Sequence, residues 1–229
     1  MQAGQMDEST SRLSGVIFDM DGVLCDSEEF ICEAACRMFA EKYKRTVRPG
    51  EFLPFVGAGE NRYLGGVAER HGIELDIELD KARTYEIYLE IIKGRLEPLP
   101  GVREFIAACR RRGLRLAVAT SADRVKLEGN LAEIGLPAET FDVCVTGSEV
   151  RNKKPDAEIF LEAARRLGLP AEECLVVEDA PNGIRAGKAA GSKCLGLTTS
   201  FSEADLRLAG ADWIAPDLAH VPAGILPQL

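Results

Sequence analysis

Two aspartates, Asp19 and Asp21, stand two positions apart in the segment VIFDMDGVL, residues 16–24. The apolar run before them has the length of a buried parallel strand and is too short for a stable helix. Side chains two positions apart in an extended chain point the same way, so we expect both carboxylates at the strand's carboxyl end, where open α/β sheets bind ligands. Because close carboxylates repel each other, a cation is expected nearby, although a polar turn that ends a strand would show the same pattern.

Polar side chains also stand at or just after three later strand-like segments. Taken alone, Thr-Ser is typical of a helix cap, Lys-Lys of solvated lysines and Glu-Asp of a polar turn. In a parallel sheet the loops after the strands converge on one edge, and the combination favours phosphate chemistry. The residues that would join the two aspartates there are Thr120, Ser121, Lys153, Lys154, Glu178 and Asp179.

Each of these groups suits a step of phosphoryl transfer, which depends mostly on positioning and electrostatic stabilisation. Oxygen atoms of Asp19 and Asp179, with a backbone carbonyl and waters, would form an octahedral magnesium (Mg²⁺) site. The hydroxyl of Thr120 and the backbone N–H groups after it would bind an anion, to which Lys154 adds a positive charge. Asp21 would give a proton to the leaving oxygen and later take one from water.

The elements that must position these residues alternate between strand and helix from residue 102 onward. This pattern predicts an α/β fold with a doubly wound, mostly parallel sheet. Between residues 28 and 97 the apolar spacing is helical throughout, with helices expected near residues 28–40, 61–71 and 77–93. We therefore predict a tail (residues 1–14), a Rossmann-like core (15–27 and 98–229) and an inserted helical cap, which we call the cap segment (28–97).

The composition of the chain limits the classes of partner and the cellular compartments that are expected for it. A net charge of −9 argues against nucleic acid or an anionic membrane as partner, and no apolar run is long enough to span a bilayer. The first residues lack a secretory or transit pattern, and nothing demands more than a monomer. The seven cysteines are an odd number without close CxxC pairs. Cys144, Cys174 and Cys194 stand inside apolar runs and are predicted to be reduced core residues. Cys25, just after the aspartates, is either a redox-active thiol or a small filler.

The motifs also carry a family resemblance. DMDGVLCDSE, VATSA, KKPDAEIF and VVEDAPNGIRAG, in this order, resemble the four motifs of the haloacid dehalogenase superfamily. Within this superfamily, the motifs most resemble those of the subgroup that contains phosphoglycolate phosphatases and β-phosphoglucomutases. In that subgroup a helical cap is inserted after the first strand. The resemblance implies that Asp19 is the nucleophile and becomes an aspartyl phosphate, while Asp21 is the general acid/base. It further implies phosphate binding by Thr120, Ser121 and Lys154, and a magnesium site involving Asp19, Asp21, Glu178 and Asp179.

Departures from the family pattern refine the expected reaction. The superfamily's dehalogenases lack the second aspartate, so Asp21 argues against C–halogen cleavage. β-Phosphoglucomutases carry a histidine and an arginine in the cap where this chain has Ile31 and Glu60. Arg62 either substitutes for that arginine or is a surface residue. A magnesium-dependent phosphatase of a small phosphorylated metabolite is therefore favoured over two alternatives, a sugar phosphomutase and a low-activity regulatory domain that acts through protein partners.

A second resemblance involves the cap segment. The runs EFLPFVGAGE (residues 51–60), LGGVA (64–68) and SADRVK (121–126) are similar to the dehalogenase-type domain of plant and algal Suppressor of Quenching proteins. In that family the domain faces the chloroplast stroma and is joined to a membrane segment, a thioredoxin-like domain and a β-propeller. The resemblance implies a stromal location; without it, a cytoplasmic one is expected.

Overall fold

The computed structural model describes residues 13–56 and 59–226. Within them, six strands form one sheet in the order β3-β2-β1-β4-β5-β6, and every neighbouring pair is parallel. The strands are β1 (Gly15–Phe18), β2 (Arg115–Thr120), β3 (Val143–Thr146), β4 (Cys174–Glu178), β5 (Lys193–Leu197) and β6 (Trp213–Ala215). The predicted parallel α/β sheet is confirmed. The expected tail over residues 1–14 lies, up to residue 12, outside the described residues.

Alternating side chains of the strands pack into two apolar layers, one on each face of the sheet. Phe18, Val118 and Val177 belong to one layer, and Ile17 and Val176 belong to the other. The helices that follow the cap segment are α4 (Val102–Arg111), α5 (Arg124–Glu133), α6 (Glu158–Leu167), α7 (Pro181–Ala189) and α8 (Glu203–Ala209). Because both faces are covered, the central strands are apolar without alternation.

Between β1 and α4 the described residues contain three further α-helices and no strand. These are α1 (Glu28–Tyr43), α2 (Glu60–His71) and α3 (Ile77–Ile92), and α1 packs against α3. The chain leaves and rejoins the core side by side, since the backbone N–H of Leu99 donates to the carbonyl of Leu24 at 3.0 Å. Helix α1 runs three residues beyond its expected end because its apolar face continues through Phe39 and Tyr43, whose rings pack together.

Two predictions from composition can be compared with the structure. No helix among the described residues is both long and apolar enough to cross a membrane. All seven cysteines are free, and Cys25 is fully buried. Burial raises the pKa of the Cys25 thiol, which disfavours the reactive thiolate. This supports the interpretation of Cys25 as a small residue that fills space in the core.

Candidate active site

Three buried carboxylates meet where β1 and β4 end. Asp19 directly follows β1, Glu178 is the last residue of β4, and Asp179 comes next. Because β1 and β4 are adjacent, their ends adjoin, and one oxygen from each of the three side chains lies within 4.8 Å of the others. The sequence placed these residues at one edge of the sheet, and the structure brings them together.

A single ammonium group contacts two of these carboxylates. The Nζ of Lys154 lies 2.5 Å from Oδ1 of Asp19 and 2.7 Å from Oε1 of Glu178, and it also donates to the carbonyl of Ala119 at 3.2 Å. All three of its N–H donors are thereby used. The neighbouring Lys153 instead donates to the carbonyl of Gly147, so its ammonium group contacts the loop and not the carboxylates.

The negative charge of this cluster is only partly compensated. Burial raises the pKa of Asp19 to about 7; the charge of Lys154 lowers it, while that of Glu178 raises it. Burial and the charges of Glu178 and Asp19 also raise the pKa of Asp179 well above its usual range. Clustered carboxylate oxygens are the donors that hard divalent cations prefer. The residues therefore fit an ion such as Mg²⁺, which would neutralise the remaining charge.

Two glycines leave room for the carboxylates. A Cβ on Gly22, whose φ is +76°, would lie 2.0 Å from Oδ2 of Asp179. A Cβ on Gly183 in α7 would lie 1.8 Å from Oε1 of Glu178. Glu178 also accepts hydrogen bonds from the backbone N–H groups of Asp179 and Ala180, each at 3.0 Å. The acidic groups are therefore held by backbone as well as by side chains.

Asp21 stands at the same edge, but its carboxylate faces other partners. Ser27 donates to Oδ1 of Asp21, and the Nζ of Lys126 lies 2.8 Å from Oδ2. Both aspartates therefore lie at the predicted edge of the sheet. Their carboxylates, however, contact different partners and do not share one set of contacts. The chain bends directly after β1, which ends at Phe18, so the strand periodicity no longer applies at Asp21.

Lys126 is a site residue that the sequence reasoning missed. It lies on α5 and is only 4% exposed. Lys126 and Asn130 are four positions apart and stand beside the apolar pair Leu127 and Leu131, so they border the inward face of α5. Polar residues at the edge of an apolar helix face are the sequence pattern that could have indicated these buried polar side chains.

Thr120 and Ser121 lie at the end of β2, next to β1. Thr120 is 2% exposed, and its Oγ1 accepts a hydrogen bond from the N–H of Ala122 at 3.1 Å. Helix α5 begins at Arg124, three residues beyond Ser121. Asp123 occupies the N-cap position without a capping hydrogen bond from its side chain.

The cap residues singled out by comparison with mutases are also placed. Ile31 is buried on α1, and Glu60 begins α2. Arg62 bonds to Glu69 at 2.8 Å and stacks over the ring of Phe55. Arg62 is therefore engaged on the cap surface and does not contact the acidic cluster.

Comparison with known proteins agrees with this geometry. Residues 13–191 match the family described as haloacid dehalogenase-like hydrolase. Protein SUPPRESSOR OF QUENCHING 1, chloroplastic, from Arabidopsis thaliana is 41% identical over 213 residues, which make up 92% of this chain but 20% of that protein. The phosphorylated carbohydrates phosphatase of Thermotoga maritima is 34% identical over 192 residues, 83% of this chain and 88% of that protein.

A solved structure shows the same architecture. CbbY from Rhodobacter sphaeroides, crystallised as a variant with xylulose-(1,5)bisphosphate, gives a TM-score of 0.80 at 30% identity, covering 90% of this chain and 95% of that chain. These matches confirm the predicted Rossmann-like fold and an enzyme of the phosphatase type. The chain belongs to the haloacid dehalogenase-like hydrolase family.

Proposed function

We propose that this protein is a magnesium-dependent phosphatase that hydrolyses a small phosphomonoester through an aspartyl phosphate on Asp19. The observation that carries the proposal is the buried cluster of Asp19, Glu178 and Asp179 around the ammonium of Lys154. Buried carboxylates at this density cost stability unless a ligand neutralises them. Such a cost is typical of a functional site.

In the proposed reaction, Asp19 and Asp21 divide the chemistry. A carboxylate oxygen of Asp19 forms a bond to phosphorus while the bond to the leaving oxygen breaks, and Asp21 gives its proton to that oxygen. Asp21 then takes a proton from water, whose oxygen attacks the phosphorus and releases inorganic phosphate and free Asp19. Ser27 and Lys126 hold the Asp21 carboxylate in place.

The remaining residues would bind the phosphoryl group and the ion. Thr120 and Ser121 would hold the phosphate oxygens with a hydroxyl and loop groups. Lys154 would exchange its long hydrogen bond to the Ala119 carbonyl, 3.2 Å, for one to a phosphate oxygen. Asp19, Glu178 and Asp179 would hold Mg²⁺. Asp21, two residues after Asp19, would contribute to the same metal site. When bound, the ion neutralises charge that would otherwise repel the substrate dianion.

The cap segment, residues 28–97, would cover this site on the core, residues 15–27 and 98–229. Helix α3 packs on α5, where Lys81 and Asp123 form an ion pair at 3.0 Å and Tyr88 donates to Asn130. Closure of such a segment excludes bulk water from the reaction. We infer that the cap residues facing α5 also select the substrate.

The relatives suggest a substrate class and a compartment. One is a phosphatase of phosphorylated carbohydrates, and the structure of another holds a sugar bisphosphate. We infer a small phosphorylated sugar as substrate, with the protein acting as a monomer. The chloroplastic relative supports a location in the chloroplast stroma.

Hydrolysis of an aryl phosphate tests the proposal. The wild-type protein should turn over with Mg²⁺ and stop after chelation with EDTA, and Asp19→Asn should lower kcat at least about a thousandfold. Asp26→Asn, which changes an exposed aspartate nearby, is the matched control and should retain activity. Comparable rates in wild type and Asp19→Asn, or full activity without divalent ions, would refute the mechanism.

A further inference from the structure

A second buried lysine stands on the cap side of Asp21. Lys126 is 4% exposed, yet its ammonium makes one hydrogen bond within the described residues, to Asp21 at 2.8 Å. Lys154, on the other side of the site, makes three. An ammonium has three donors, so Lys126 keeps two for other acceptors. A buried donor without a partner is costly, which makes a ligand the natural acceptor.

A buried hydroxyl at the same junction also lacks a partner. The O–H of Tyr85 on α3 is enclosed in a side chain that is 5% exposed, and it has no hydrogen-bond partner among the described residues. The charges of Glu60 and Asp123, after burial itself, raise the pKa of this hydroxyl. The charge of Glu60 acts on Lys126 as well. Tyr85 lies on the face of α3 that meets α5, because Lys81, four positions before it, pairs with Asp123 and Tyr88, three positions after it, donates to Asn130. Lys126 stands between Asp123 and Asn130 along the chain, on the inward face of α5. The start of α2 reaches the same junction, since Asn61, next to Glu60, accepts a hydrogen bond from Lys81 at 3.0 Å.

Carboxyl groups outnumber ammonium groups around this junction. Asp21, Glu28, Glu60 and Asp123 supply four carboxylates, whereas Lys126 and Lys81 supply two ammonium groups. Lys81 is engaged with Asp123 at 3.0 Å. A second phosphate placed here would face net repulsion, because like charges brought together in a water-poor site interact strongly.

Donors and acceptors at the junction are interleaved. Lys126 and Tyr85 can donate hydrogen bonds, and Glu60 can accept them. This combination suits ligand groups that both donate and accept hydrogen bonds. Alcohol hydroxyls have this property, whereas a phosphate dianion only accepts. We propose that Lys126, Tyr85 and Glu60 are specificity-determining residues that bind hydroxyl groups of the substrate beyond its phosphate, so that monophosphates of polyhydroxylated compounds are preferred to the corresponding bisphosphates. This inference rests on the proposed phosphatase function.

The first test uses the unaltered protein. We compare kcat/KM for matched pairs, such as fructose 6-phosphate with fructose 1,6-bisphosphate, and for p-nitrophenyl phosphate, which presents no hydroxyl. We expect at least one polyol monophosphate to exceed the aryl phosphate and to exceed its own bisphosphate at least about tenfold. A smaller preference, or a preference for the bisphosphate, would overturn the inference.

Variants assign the preference to residues. Tyr85→Phe should lower the ratio of kcat/KM for the polyol monophosphate to that for p-nitrophenyl phosphate about tenfold. Glu60→Gln should raise the relative use of the bisphosphate. Tyr43→Phe is the matched control, since Tyr43 lies elsewhere on the cap and its hydroxyl donates to Asp80 at 2.5 Å. Unchanged ratios in both Tyr85→Phe and Glu60→Gln would overturn the assignment.

Failure here is distinguishable from failure of the phosphatase function. If Asp19→Asn abolishes aryl phosphate hydrolysis while the ratios stay flat, only the specificity residues are wrong. If Asp19→Asn remains active, the catalytic proposal fails first. Circular dichroism melting of each variant separates loss of selectivity from loss of fold.

Discussion

Gly22 and Asp179 are separated by 157 positions of sequence, yet a Cβ on Gly22 would lie 2.0 Å from Oδ2 of Asp179. The turn after β1 is therefore built directly against the carboxylate that follows β4. Gly22 also has a φ of +76°, a conformation that side-chain-bearing residues rarely adopt. One glycine thus satisfies both the backbone of the turn and the geometry of the acidic cluster.

Gly22→Ala should disrupt the site beyond its backbone cost. Gly72→Ala is the matched control, because Gly72 has a φ of +62° and nothing within 4 Å of an added Cβ. We expect the control to lose about 1–2 kcal/mol of stability and to keep its turnover. Gly22→Ala should lose at least about 3 kcal/mol and lower kcat about a hundredfold. Equal effects of the two substitutions, by denaturation and kinetics, would mean that the contact with Asp179 is unimportant.

Gly183→Ala tests the space beside Glu178. Alanine is a better helix former than glycine, so Gly65→Ala in α2, which meets nothing within 4 Å, should stabilise the protein by about 0.5–1 kcal/mol. In α7 the same change places a methyl group 1.8 Å from the Glu178 carboxylate. We expect destabilisation and about a hundredfold lower kcat. Stabilisation by both substitutions would show that Glu178 can move freely.

Lys154→Met should leave the buried carboxylates of Asp19 and Glu178 without their ammonium partner. Removal of one member of a buried ionic cluster costs about 3–5 kcal/mol, and added Mg²⁺ should restore part of the stability. The adjacent Lys153→Met removes an exposed lysine that bonds only to a loop carbonyl among the described residues, and it should cost within about 1 kcal/mol. Thermal melting with and without Mg²⁺ measures both; similar losses in the two variants would contradict the role of Lys154.

The metal-free protein should lose stability as the pH rises. Burial raises the pKa of Asp19 from 3.8 to about 7 in the folded state, so the folded state holds this proton more tightly than the unfolded state. The folded state is therefore favoured at low pH, and its advantage declines between about pH 4 and about pH 7, by an amount on the order of 4 kcal/mol.

Urea denaturation in EDTA across this interval measures the effect. Asp19→Asn removes this titrating group and should make the profile shallower, while Asp179, whose pKa is also raised, still contributes. A free energy of unfolding that stays level or rises in the wild type would show that Asp19 is not strained by burial in the absence of a metal.

Much of the sheet and its polar edge could be predicted from sequence because local signals agreed there. Short apolar runs end in polar residues and glycines follow the helices, which is enough to place Asp19, Thr120, Lys154 and Asp179 at one edge of the sheet. The parallel arrangement then fixes convergence, since the carboxyl ends of neighbouring parallel strands share one edge.

The cap side of the site could not be predicted in the same way. The ion pair of Asp21 with Lys126 joins residues 105 positions apart, and no local pattern specifies such a contact. In the sequence, Tyr85 is indistinguishable from any inward-facing aromatic residue of an amphipathic helix. Only the packed structure shows that its hydroxyl has no hydrogen-bond partner among the described residues. Contacts between an inserted segment and the core depend on packing geometry that hydrophobic periodicity does not encode.

The most direct measurement is a crystal structure of the protein with Mg²⁺ and beryllium fluoride, which mimics a phosphoryl group. We predict a beryllium fluoride group bonded to a carboxylate oxygen of Asp19, contacts from Thr120 and Lys154 to its fluorines, and a magnesium ion held by Asp19 and Asp179. A structure in which both additives are present in solution but Asp19 is unmodified and the three carboxylates bind no ion would contradict the proposed mechanism.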